Sequence, residues 1–189
     1  RTSIANDEPF SIYIAQMDVL SIISQLSLGN NPPLFELVLH FWIKIFGISA
    51  FSARFLPFLF SVTTVIFIYK IGTDFFNNKI AIIAALIFTF SNYHISFAHE
   101  SRVYSLFGLL TTISMFAFLY LIKNKNSKPF LIILILTNVL LAYCHFFGLI
   151  IPVIQALSCL VFKDIRKKIL PKYAIVIVIL FSSYIPYLH

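Results

Sequence analysis

Seven acidic residues in a 189-residue chain leave few places where proton chemistry could occur. Asp7 and Glu8 form an acidic pair just before an amphipathic stretch. Acids favour a helix N-terminus, so either residue can serve as first-turn or capping chemistry. Equally, a carboxylate held at a membrane surface can take the proton of an acceptor hydroxyl. A second group is His99-Glu100-Ser101-Arg102-Val103-Tyr104, between two apolar runs. Glu and Arg so close to lipid are costly unless paired or functional. The segment is either a local ion pair at a helix end or an arginine that clamps phosphate through forked hydrogen bonds, with Glu100 as ligand or orienter. His145 stands at a turn before Phe146-Phe147-Gly148, as a structural histidine or as a ligand for phosphate or metal. Arg54 reads as a snorkelling anchor or as an attractor of an anionic headgroup. Glu36, His40 and Lys44 follow at i, i+4 and i+8 and read as a solvated helix face.

The elements that must position these groups are set by composition. The chain is 60% hydrophobic and 11% charged, against about a quarter charged in soluble domains. Apolar runs of about 20 residues cross a bilayer as helices, because lipid cannot satisfy an open backbone. The expected fold is all-α, a polytopic transmembrane helical bundle with two juxtamembrane helices in a first outer loop at 1–50. One interfacial helix is expected over 9–28, and a second, opened by Pro32-Pro33, over 33–46. About six spans follow in 51–189, near 52–71, 80–97, 103–122, 129–146, 148–162 and 170–188. Cys144 and Cys159 have neither zinc nor disulfide spacing and read as small buried hydrophobes.

The net charge of +7 is explained without nucleic acid. Lys70, Lys79, Lys123, Lys125, Lys128, Lys163, Arg166, Lys167, Lys168 and Lys172 all fall in alternate connectors. Those ten of the fourteen basic residues mark the cytoplasmic side. The opposite side receives Asp7, Glu8, Asp18, Glu36 and Glu100, five of the seven acids. Residues far apart in sequence therefore share one membrane surface, provided that helix 33–46 does not cross. A transporter or flippase of a lipid-linked or anionic substrate is the rival class. It predicts ionisable groups at mid-membrane and broken spans, whereas here the spans are nearly free of charge.

The order of motifs adds a resemblance. Asp7-Glu8-Pro9-Phe10 is followed by Asn31-Pro32-Pro33-Leu34-Phe35. Then come Phe46-Gly47, Arg54-Phe55-Leu56-Pro57, Glu100-x-Arg102-x-Tyr104-Ser105-Leu106 and His145-Phe146-Phe147-Gly148. Together they resemble the GT-C superfamily of membrane glycosyltransferases, in its family-39-like branch related to protein O-mannosyltransferases and the lipid A aminoarabinose transferase. The resemblance implies a multi-pass protein of the bacterial cell membrane with an extracytoplasmic active site. It implies a polyprenyl-phosphate sugar donor and a lipid, glycan or protein acceptor. By position Asp7 resembles the catalytic base and Glu8 its partner in the motif. Glu100, Arg102 and Tyr104, with Arg54 and His145, would contact the donor phosphate. A divalent metal held by Asp7, Glu8, Glu100 and His145 is left open, and no other cofactor is expected. Asn31 departs from the His that many relatives carry before Pro-Pro, and His99 from their Gln. The resemblance also implies a first transmembrane helix before Arg1 and further helices after His189.

Overall fold

A computed structural model describes residues 8–29, 31–123 and 128–184, without the side chains of Asp164 and Lys168. Asp7, the 124–127 stretch and the last residues of the sixth expected span lie outside the described residues. The chain is an all-α membrane protein, and the described residues contain no strand. It divides into two compact units, Arg1–Leu109 and Leu110–His189.

The first unit begins with two short helices where one was expected. Helix α1 covers Glu8–Ala15 and α2 covers Val19–Leu28. The break is made by Asp18. Its Oδ2 accepts the Ser21 N–H at 3.1 Å and its Oδ1 the Ser21 hydroxyl at 2.6 Å, an N-cap that starts a new helix. Ile14, Ile22 and Leu26 form a small buried cluster joined by Met17 and Leu37. Helix α3, Leu34–Phe46, starts directly after Pro33 and stops at Gly47, the one described glycine with positive φ, at 77° with ψ 167°. That backbone region is open essentially only to glycine. The Trp42 indole N–H donates to the Ser52 carbonyl at 2.9 Å and ties α3 to the start of α4.

Helix α4, Ala50–Phe75, is capped by the Ser49 hydroxyl and has 26 residues, about 39 Å at 1.5 Å per residue. It crosses by length and composition, as expected for 52–71 with a turn added. Helix α5, Asn78–Thr89, returns along it. A Cβ on Gly72 would stand 2.4 Å from the Ala81 Cα, so glycine is what lets the two backbones approach. The expected 80–97 span is not one rod. It bends by 62° between α5 and the seven-residue α6, Asn92–Ala98. Residues 99–103 then lead to α7, Tyr104–Lys123, a second helix long and apolar enough to span. The boundary between the units falls within α7.

The second unit adds α8, Lys128–Cys144, a 3-10 turn over Phe146–Leu149, α9, Ile150–Val161, and α10, Lys163–Tyr184. Where the fourth to sixth spans were expected, the chain is helical, and its apolar stretches, Lys128–Cys144, Phe146–Val161 and Ile169–Tyr184, are shorter than α4 and α7. Ala117, Phe118, Leu121, Leu134, Cys159, Ile169, Tyr173 and Val176 make the core. Inside the unit, Ser114 donates to Asn138 at 2.9 Å, Asn138 to Gln155 at 3.1 Å, and Gln155 back to Ser114 at 2.9 Å. Tyr173 sits 3.0 Å from Gln155 and 2.8 Å from the Pro152 carbonyl. This ring links α7, α8, α9 and α10 with each polar side chain partnered, as an apolar interior demands.

Candidate functional site

Glu8 is the first residue of α1 and is only 2% exposed. A carboxylate in such a place must be paired and hydrogen-bonded. Arg54, one turn into α4, supplies the pair. Its Nε donates to Glu8 Oε1 at 3.0 Å and its Nη2 to Oε2 at 2.6 Å, the two-pronged geometry that guanidinium favours. The backbone N–H of Ser101 donates to the same Oε1 at 2.8 Å. Three segments separated by up to 93 residues therefore meet on one carboxylate.

One turn along α1 the pattern continues. Ser11 lies three residues after Glu8, on the same face. Its hydroxyl donates to Glu36 Oε1 at 2.9 Å and accepts from Arg102 Nη1 at 3.3 Å. Glu36 and His40 are buried, at 8% and 2% exposure, which corrects the solvated face expected for them; of that trio Lys44 alone is exposed. Burial pushes the Glu36 carboxyl above the usual carboxylate range, while Ser11 and the Arg102 charge pull weakly the other way. His40 faces α1 too, its Nδ1 lying 2.8 Å from the Ala15 carbonyl.

Within the connector, the Arg102 N–H bonds the Glu100 carbonyl at 2.8 Å, a tight turn that sets Ser101 and Arg102 toward α1. Tyr104 opens α7 and packs on Phe97 with ring centres 4.6 Å apart. Both rings line a pocket of about 240 Å³, with Ser61, Phe88, Tyr93 and His94 among its walls. Ser61 and His94 Nε2 are hydrogen-bonded there at 2.8 Å. The pocket is mostly apolar, and its walls include Phe97 and Tyr104, which flank the 99–103 connector in sequence.

Over residues 30–187 the chain matches the family described as dolichyl-phosphate-mannose-protein mannosyltransferase. The chain belongs to this family. It is thus a membrane protein with a glycosyltransferase role in the general sense. No individually curated protein and no solved structure matches it.

The mannosyltransferase-family region contains Glu36, Arg54, Glu100, Arg102, Tyr104 and His145, and begins after the acidic pair. Glu8 is joined to that region by its bonds to Arg54 and Ser101. Asp7, next to Glu8 in sequence, lies outside the described residues. Arg54 is directed at Glu8 through its Nε and Nη2. His145 belongs to the second unit, where its Nδ1 accepts the Phe147 N–H at 3.1 Å and caps the 3-10 turn. No group of three His, Cys, Asp or Glu side chains suited to a metal occurs among the described residues. Both Glu8 oxygens accept N–H donors.

Sequence reasoning did not single out Ser11, Ser101 or a buried Glu36. For Glu36 the spacing misleads, because Glu36, His40 and Lys44 share one face of α3 and only the packing of α1 over that face buries the first two and leaves Lys44 exposed. The Ser101 N–H carries no sequence signal, because any residue but proline supplies a backbone donor, and the Ser11 hydroxyl is one of several serine hydroxyls in the 9–28 stretch.

Proposed function

We propose that the protein transfers a sugar from a polyprenyl-phosphate-linked donor to a hydroxyl of a lipid, glycan or protein acceptor at the extracytoplasmic membrane face, with Asp7 as general base. The observation that carries this reading is the meeting of Glu8, Arg54 and the Ser101 N–H. It ties the segment bearing the acidic pair to the connector bearing Arg102. In this scheme Glu8 is the anchor. Its two oxygens accept N–H donors from Arg54 and from Ser101, which commits the carboxylate to tying these segments together. Asp7, one peptide bond away, is the base.

The reaction is a single displacement. Asp7 takes the acceptor O–H proton as that oxygen bonds to the anomeric carbon. The bond from the anomeric carbon to the phosphate oxygen breaks on the opposite face, giving inversion, and its electron pair leaves with the polyprenyl phosphate. Arg102, with Glu100 and Tyr104 beside it, stabilises the charge that builds on the phosphate. A lipid phosphate is a weak base and leaves without a dedicated acid. Initial rates with a radiolabelled polyprenyl-phosphate sugar in proteoliposomes of the full-length protein test the assignment. Asp7→Asn should lower transfer by about 10²–10⁴, and Arg102→Ala by about 10²–10³. Transfer left unchanged by Asp7→Asn would remove the base.

A further inference from the structure

Glu36 has no part in the mechanism above, yet it is a buried carboxylate joined to Arg102 by a continuous hydrogen-bonded path. The path runs from Arg102 Nη1 to the Ser11 hydroxyl at 3.3 Å and on to Glu36 Oε1 at 2.9 Å. Its three members come from three elements, the 99–103 connector, α1 and α3. A hydroxyl has one proton to give. With the guanidinium donating to it, Ser11 directs that proton at Glu36, so the chain has one polarity from cation to carboxylate. Burial of Glu36 in an apolar helix is unfavourable for its charge, and packing alone would be served better by leucine. A carboxylate retained there has an electrostatic use.

We infer that Glu36 is a positioning residue for the donor-binding arginine: through the Ser11 hydroxyl it holds the Arg102 guanidinium in the orientation that receives the donor phosphate. This rests on the reading of Arg102 as the phosphate ligand. Arginine has many rotamers, and a guanidinium already oriented loses less freedom when an anion arrives. The arrangement parallels the neighbouring one. Arg54 is fixed directly by Glu8 of α1, and Arg102 is held at one remove, through Ser11 of α1, by Glu36 of α3.

The test is a kinetic split in the full-length protein, with the polyprenyl-phosphate sugar varied at fixed acceptor and then the reverse. Glu36→Gln and Ser11→Ala should each raise the donor KM about tenfold, as expected for loosening one charge-assisted hydrogen bond. The acceptor KM should stay within about twofold, the range of a merely indirect change. Arg102→Ala should raise the donor KM further, and adding Glu36→Gln to it should change nothing more, because the group being positioned has gone. Ser11→Ala is the mild arm, and Trp42 emission reports whether the fold around α3 is retained. The inference is overturned if Arg102→Ala raises the donor KM while Glu36→Gln and Ser11→Ala do not, or if their effects add to that of Arg102→Ala. It is also overturned if only kcat falls, in proportion to folded protein. A donor KM unmoved by Arg102→Ala would instead bring down the phosphate-ligand reading itself, and the positioning role with it.

Discussion

Removing either partner of the Glu8–Arg54 pair should destabilise the first unit, and unequally. The Glu8 side chain is 3% exposed and that of Arg54 is 22% exposed. Arg54→Ala takes from an enclosed carboxylate the two bonds of its guanidinium. Removing one partner of a buried pair costs about 3–5 kcal/mol, and the enclosure of Glu8 places this variant toward the upper figure. Glu8→Ala takes from Arg54 the same two bonds and from the Ser101 N–H its acceptor, but the guanidinium can swing its head toward water, which puts the cost near 3 kcal/mol. The double variant loses both charges and should cost about 1–3 kcal/mol, mainly for that N–H. The coupling between the two sites is then about 3 kcal/mol or more, a factor above one hundred in the unfolding equilibrium. Trp42, the only tryptophan in the sequence, lies in α3 and donates to the Ser52 carbonyl two residues before Arg54. Its emission during denaturant titration in micelles therefore reads this unit. Single costs below about 1 kcal/mol that simply add, as for a solvated ion pair, would refute the reasoning.

Three further outcomes follow from the structure. Gly148→Ala would put a Cβ 2.0 Å from the Leu141 carbonyl oxygen, and the shift this forces should destabilise the second unit by about 1–3 kcal/mol, read as faster labelling of the buried thiols Cys144 and Cys159. Asn138→Leu should break the Ser114–Asn138–Gln155 ring and cost about 1–2 kcal/mol, the range for polar contacts between membrane helices, measured by the same labelling. Glu36 binds its proton more tightly folded than unfolded. Its contribution to stability is therefore greatest below the ordinary glutamate range and is lost as pH rises through the raised folded value. Denaturant midpoints followed by Trp42 should fall over that window in the native protein, and Glu36→Gln should flatten the fall.

The membrane class, the helical content and the positions of α4 and α7 were legible because long apolar runs admit one backbone solution in lipid. Composition does not encode breaks. Asp18 splits the first amphipathic stretch by capping, and the bend between α5 and α6 falls at Phe90-Ser91, where no proline or glycine announces it. At the site, parity of the basic connectors anticipated that Glu8 and the Glu-x-Arg-x-Tyr element share a surface, and the Glu8–Ser101 contact is consistent with it. The pairing was not legible. Arg54 and Arg102 are equivalent by residue type, and only the folded backbone decides that the first grips Glu8 while the second reaches Ser11 and Glu36.

The contact between Glu8 and the Ser101 N–H also has a place in time. A ribosome adding about 5–20 residues per second takes roughly 5–20 s to travel the 93 residues between them. For the later part of that interval α1 is outside the ribosome while the Ser101 amide that its carboxylate accepts does not yet exist. Glu8 can engage Arg54 once α4 is inserted, but full enclosure awaits α5, α6 and the 99–103 connector. Helices α1 to α3 are thus made early and fastened late. A nascent chain halted before residue 101 should present α1 to protease, and one released beyond it should protect it.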